Sequence, residues 1–129
     1  MKKRVLSLML ALSLMSVPAL AAENSMENFT RSRTYDGQFS DLPEDHTFYE
    51  NVAALYEYGL SVGQTDGTYG LSAPITVGQA VIFAGRIRSL YRTGDPETGP
   101  AGFTAAAVGL KDAQRIYAPY LWYLQSEGV

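Results

Sequence analysis

The sequence predicts an all-α fold: helix-loop-helix units joined by loops rich in glycine and proline, after a cleaved leader. Three observations carry that prediction. Phe48, Val52 and Leu55 recur at one face of a helix. Ala80, Val81, Ala84, Ile87 and Leu90 or Tyr91 do the same further on. Between and after them, glycine and proline punctuate the chain.

The elements follow in order. Met1-Lys2-Lys3-Arg4, the apolar run Val5 to Met15 and the sequence up to Ala21 form a charged, an apolar and a small-residue region, the pattern of a signal peptide. Cleavage is expected after Ala21. The apolar run is shorter than the roughly 20 residues a bilayer span takes. Residues 22–38 are polar and aperiodic, and read as a flexible lead-in. Order is expected from Phe39-Ser40-Asp41-Leu42-Pro43, where Pro43 biases Leu42 away from helix.

A first helix is expected from about Phe48 to Tyr58, with Thr47 as its N-cap and Gly59 as the left-handed residue that ends it. The loop Ser61 to Pro74 contains the tight-turn dipeptide Asp66-Gly67, with Tyr69 and Leu71 as apolar plugs. A second helix is expected from about Val77 to Arg92. Thr76 and Gln79 have capping-box spacing at its start. Gly78 and Gly85 lower its intrinsic propensity, so it needs tertiary packing. Residues 94–102 read as a linker, Phe103 to Leu110 as a short helical turn, and about Ala118 to Glu127 as a last helix with Tyr117, Tyr120, Leu121 and Leu124 on its apolar face.

Composition narrows the function. The 129 residues hold 10 basic and 13 acidic side chains, a net charge of −3. Setting aside the three basic residues of the leader leaves seven basic residues and a net charge of −6. That balance argues against nucleic acid as a partner. Cysteine is absent, which removes disulfides, thiolate metal sites and cysteine nucleophiles. His46 is the single histidine, so no multi-histidine metal site exists. No motif ties it to a nucleophile, and a surface or capping role is expected. No enzyme activity, cofactor or metal is expected.

The ending of the first helix recurs. Shifted by 69 positions, Phe48 meets Tyr117, Val52 meets Leu121, Leu55 meets Leu124, Gly59 meets Gly128 and Leu60 meets Val129. Such a period fits an array of helical units, although two amphipathic helices ending in glycine also align this way by chance. Residues 39–93 would be one complete unit and 103–129 the start of a second, the chain reading as the front of a longer protein. Alternatively, Tyr117 to Val129 packs on the first unit as a third helix.

The order of signals in residues 39–92 resembles the S-layer homology domain. Phe39-Ser40-Asp41 stands for its Phe-x-Asp opening, and Leu55 to Leu60 for its Leu-x-x-x-Gly-Ile helix end. Gly63 to Tyr69 stands for its Gly-x-x-Asp-Gly-Thr-Phe loop, and Ile75-Thr76 opens the second helix. The resemblance implies a helical hairpin, usually in three copies, that attaches exported proteins non-covalently to cell-wall polysaccharide, often pyruvylated. It implies secretion to the cell wall or surface, with that polysaccharide and neighbouring repeats or downstream domains as partners, and no membrane span after leader cleavage. The sequence departs from the family where Val77-Gly78-Gln79 replaces Arg-Ala-Glu. Valine has no donor for the carboxylate that an arginine would grip. On that reading Val77→Arg would increase wall binding.

The residues that would line a glycan groove are Asp66, Gly67, Thr76 and Gln79. For Asp66 and Gly67 a plain turn, with Asp66 bonding its own backbone, is the stronger reading. Asp66 is the only acid between Ser61 and Ile75, too few for calcium. Arg86, Arg88 and Arg92 could meet an anionic polymer, but positive charge also suits a helix C-terminus. Tyr117, Tyr120 and Tyr123 around Trp122 read as partly buried rather than as sugar platforms. Wall anchoring is the expected function. The alternatives are a structural repeat that binds no glycan, or an accessory part of an exported enzyme lying downstream.

Overall fold

The computed structural model describes residues 23–129. The expected leader, 1–21, lies outside the described residues. Among the described residues four α-helices form: α1 (Tyr49–Glu57), α2 (Val77–Thr93), α3 (Thr98–Ala101) and α4 (Asp112–Ser126). Two single turns of 3-10 helix, Met26–Asn28 and Ala105–Ala107, complete the secondary structure, and no strand occurs among the described residues. The all-α class is correct.

α2 begins as its local sequence dictates. Thr76 Oγ1 accepts the N–H of Gln79 at 3.2 Å, and Gln79 Oε1 accepts the N–H of Thr76 at 2.8 Å. This reciprocal capping box satisfies two donors that the first turn leaves orphaned. At the other end Gly94 is left-handed, with φ 77°.

α1 starts differently from expectation. Thr47 does not cap it. Phe48 holds the N-cap position without a side-chain bond, and its N–H is taken by His46 Nδ1 at 3.1 Å. The chain reaches α1 through two tight turns, His46 N–H to the Pro43 carbonyl and Tyr49 N–H to the His46 carbonyl, and these place the imidazole at the helix entry.

The endings of α1 and α4 share one hydrogen-bond pattern. Tyr58, Gly59 and Leu60 donate to the carbonyls of Ala54, Tyr56 and Leu55 at 2.9, 3.0 and 2.9 Å. Sixty-nine residues later Glu127, Gly128 and Val129 donate to Tyr123, Gln125 and Leu124 at 3.0, 3.1 and 3.0 Å. Gly59 and Gly128 take φ of 71° and 76°, the conformation in which only glycine avoids strain at such a stop.

The packing departs from a simple hairpin. No Cα of α1 lies within 8 Å of one of α2 or α4. α1 instead buries Val52 and Ala53 against Tyr35, Phe39 and Leu42, ringed by Tyr49, Tyr56, Tyr69 and Leu71. Phe39 meets Tyr56 edge-on at 5.6 Å and Tyr69 at 5.3 Å, geometries that aromatic quadrupoles favour. α2 packs on α4. A Cβ at Gly78 or Gly85 would come within 2.9 Å of Tyr117 or Tyr120, so these glycines are notches that admit the two rings. They weaken α2 as an isolated helix and enable its tertiary contact, which is why the last segment runs along α2.

Three segments differ from the sequence reading. The lead-in is anchored rather than free. Ser25 N–H and Asn28 Nδ2 donate to the Tyr91 carbonyl at 3.0 and 2.8 Å, while Ser32 and Arg33 donate to the carbonyl of Glu57. These bonds tie the ends of α1 and α2 together. The linker 94–102 contains α3, entered through a turn in which Asp95 Oδ1 accepts the N–H groups of Glu97 and Thr98. α4 starts at Asp112 and not near Ala118. Pro119 lies buried inside it, and packing against α2 offsets the hydrogen bond that proline removes.

Candidate functional site

The loop between α1 and α2 is shaped by one carboxylate. Asp41 accepts the N–H groups of Tyr69, Gly70 and Leu71 at 2.7, 2.9 and 3.2 Å. These bonds, that from Tyr69 foremost, hold the Asp41 carboxyl below the usual carboxylate range. A second turn lies at the loop tip. Gln64 N–H donates to the Thr68 carbonyl, and Asp66 Oδ1 accepts the Thr68 hydroxyl and N–H at 2.7 and 3.0 Å. The bonds to Thr68, its hydroxyl first, lower the Asp66 pKa. Gly63 must be glycine, because its φ is 71° and a Cβ would lie 2.3 Å from the Phe39 ring.

The folded loop and one face of α2 enclose a groove of about 240 Å³. Gly63, Gln64 and Tyr69 come from the loop, and Ile75, Gln79, Phe83 and Arg86 from α2 and its approach. Gln79, Phe83 and Arg86 stand at i, i+4 and i+7, so one helical stripe faces the groove.

Of the residues expected in a groove, only Gln79 lines it. Thr76 is exposed at the helix start and spends its hydroxyl on the capping box. Asp66 and Gly67 are exposed at the loop tip and serve the turn. Val77 is 81% exposed and is not part of the lining. The sequence reading overlooked Gln64, Ile75 and Phe83, and placed Arg86 among helix-end charges. The signal available was the Gln79, Phe83, Arg86 spacing.

Arg86 is the charged member of the lining and is heavily engaged. Its Nε meets Glu97 at 2.6 Å, and Nη1 donates to the Leu60 carbonyl at 3.2 Å. Its guanidinium sits 5.7 Å from the Tyr120 ring centroid. Tyr120 in turn donates its hydroxyl to Glu97 at 2.5 Å. Burial, then that bond to Glu97, pushes the Tyr120 pKa up to about 12, so the phenol remains a donor across physiological pH. Arg88 and Arg92 both reach Glu127, at 3.0 and 2.7 Å, and clamp the end of α4 to α2.

Among the described residues, no group of three or more His, Asp or Glu side chains is placed to hold a metal ion. No helix among them is long and apolar enough to cross a membrane. The family model of the S-layer homology domain matches residues 38–81, about a third of the chain, which takes in Asp41, the loop and the first turn of α2. No curated protein and no solved structure matches the chain.

Proposed function

We propose, from the match of residues 38–81 to the family model of the S-layer homology domain, a cell-surface anchoring module, that the chain is exported and attaches a protein non-covalently to bacterial cell-wall polysaccharide. The observation that carries this reading is the groove between the family's loop and α2, where Tyr69 and Phe83 offer apolar faces and Gln64 and Gln79 offer amides. Concave sites with apolar walls and few polar groups are where small ligands bind. Localisation at the wall or surface follows from the same premise, with export directed by residues 1–21.

The test is retention of the full chain on purified cell walls, with Ile75→Glu as the groove variant. Ile75 is 66% exposed, so the change leaves the core intact. Retention that Ile75→Glu reduces supports the reading. No retention of either protein sinks it.

A second reading has its own support. The shared endings of α1 and α4, and the fit of α4 on α2, are what a unit packing on its neighbour would show. On that reading residues 39–93 and 103–129 are successive repeats, and this copy holds its neighbours without touching glycan. A folded chain that fails to bind walls, while binding a protein made of further repeats, would favour it.

A further inference from the structure

We infer that the groove beside α2 takes an uncharged stretch of glycan and discriminates against anionic sugars; this rests on the wall-attachment reading and adds the chemistry of the ligand. The inference starts from charge. A carboxylate-bearing sugar is gripped most strongly by an uncompensated cation, best an arginine fork whose donors are free. Among the described residues, the one cation lining the groove is Arg86, and Glu97 neutralises it at 2.6 Å.

The pair is difficult to dislodge. Arg86 is further held by the Leu60 carbonyl, and Glu97 by the hydroxyl of Tyr120. The Arg86 side chain is 20% exposed and that of Glu97 51%, so solvent screens the pair from the Glu97 side while the guanidinium stays largely covered. An incoming anion would have to displace Glu97 and leave that carboxylate facing it.

No other cation compensates. Of the seven basic residues among 23–129, Arg31, Arg86, Arg88, Arg92 and Arg115 are all paired with carboxylates. Arg33 lies over the Tyr56 ring, and neither it nor Lys111 lines the groove. The net charge of −6 without the leader repels a polyanion at long range.

What the groove does offer suits a neutral sugar. Phe83 and Ile75 present apolar surface to the C–H faces of a ring. Gln64 and Gln79 present amides, which donate and accept and so match hydroxyl or acetamido groups. Gln79 uses its oxygen on Thr76 N–H, which leaves its amide nitrogen to donate.

The experiment uses wall polysaccharide in two forms, native and with its carboxylates converted to neutral amides. Binding of the full chain to each is measured by calorimetry at low and high salt. The amidated polymer should bind as well as the native one or better, with little dependence on salt. Glu97→Gln, which frees Arg86, should raise affinity for the native anionic form on the order of tenfold and make it salt-sensitive. Loss of binding on amidation, with strong salt dependence for the native polymer, overturns the neutral-ligand assignment and leaves wall attachment standing. Failure to bind either polymer overturns both. Full affinity for the amidated polymer in Ile75→Glu overturns the placement in this groove.

Discussion

The carboxylate of Asp41 accepts the N–H of Tyr69 at 2.7 Å across 28 positions of sequence, and its second oxygen serves Gly70 and Leu71. One acidic side chain therefore replaces the hydrogen-bond ladder that this loop lacks. It holds Tyr69 where the ring can pack on Phe39 from one side and line the groove from the other. The aspartate of the Phe-x-Asp opening is thus a loop organiser, and it acts before any ligand arrives.

That role predicts a pH dependence. The folded-state pKa of Asp41 is depressed, chiefly by the Tyr69 N–H, and that of Asp66 by Thr68. A depressed carboxylate contributes stability that is present above its unfolded pKa and lost as pH falls through the folded value. Thermal stability should therefore drop below about pH 4. Asp41→Asn should lower the melting temperature at neutral pH and flatten the acid loss, the remaining slope belonging to Asp66 and other acids. Melting curves across that window decide it; an unchanged slope in Asp41→Asn would show that the carboxylate charge is not what holds the loop.

A second prediction concerns the notch at Gly85. In an exposed helix, glycine to alanine stabilises by about 0.8–1 kcal/mol. Here the added methyl would lie 2.9 Å from both Cβ and Cδ1 of Tyr120. The Cβ belongs to the α4 frame and cannot swing aside, so α4 must shift. Gly85→Ala should destabilise by about 1–3 kcal/mol, the usual cost of overpacking. Urea denaturation checks it, and a stabilised variant would mean that α4 docks more loosely than the fit of Tyr120 implies.

Such contacts mark where sequence reasoning reached and where it stopped. The start of α2, the glycine stop of α1 and the Asp66 turn were legible because each is written within four or five residues. The Thr76–Gln79 box, Gly59 and the bond from Thr68 to Asp66 are all local. Gly78 and Gly85 signalled that α2 needs a partner but not that Tyr117 and Tyr120 fill the notches. The anchoring of Asn28 on Tyr91, 63 positions away, had no local trace. Nor had the groove: Gln79 reaches it by helix periodicity, whereas Gln64 arrives through the folding of the loop. Thr47 failed as a cap because the His46 turn reached the Phe48 N–H first.

Ser89 supports a third prediction. It is fully buried, donates its hydroxyl to the Asp95 carbonyl at 2.7 Å and accepts the Gly99 N–H at 2.9 Å. Ser89→Ala removes both bonds and strands a buried donor, at a cost of about 1–3 kcal/mol. Ser89→Thr, which keeps the hydroxyl, should cost its own overpacking but retain protection of the Gly99 amide. Hydrogen exchange at Gly99 separates the two, and equal exchange in wild type and Ser89→Ala would remove the hydroxyl from the account.

The last prediction concerns Val77, which stands where the family has arginine. The resemblance alone implies that Val77→Arg restores a lost contact. The geometry implies otherwise, because Val77 is 81% exposed and outside the lining, while the groove's own cation is Arg86. A new arginine there would face water, shifting stability by no more than about 0.5 kcal/mol. At high salt, where long-range attraction is screened, wall retention of Val77→Arg should stay within about twofold of wild type, as for other exposed charges. Glu97→Gln measured on native walls at low salt should exceed both, since it exposes a cation already inside the groove. A large gain from Val77→Arg that survives high salt would move the binding surface from the groove to the start of α2.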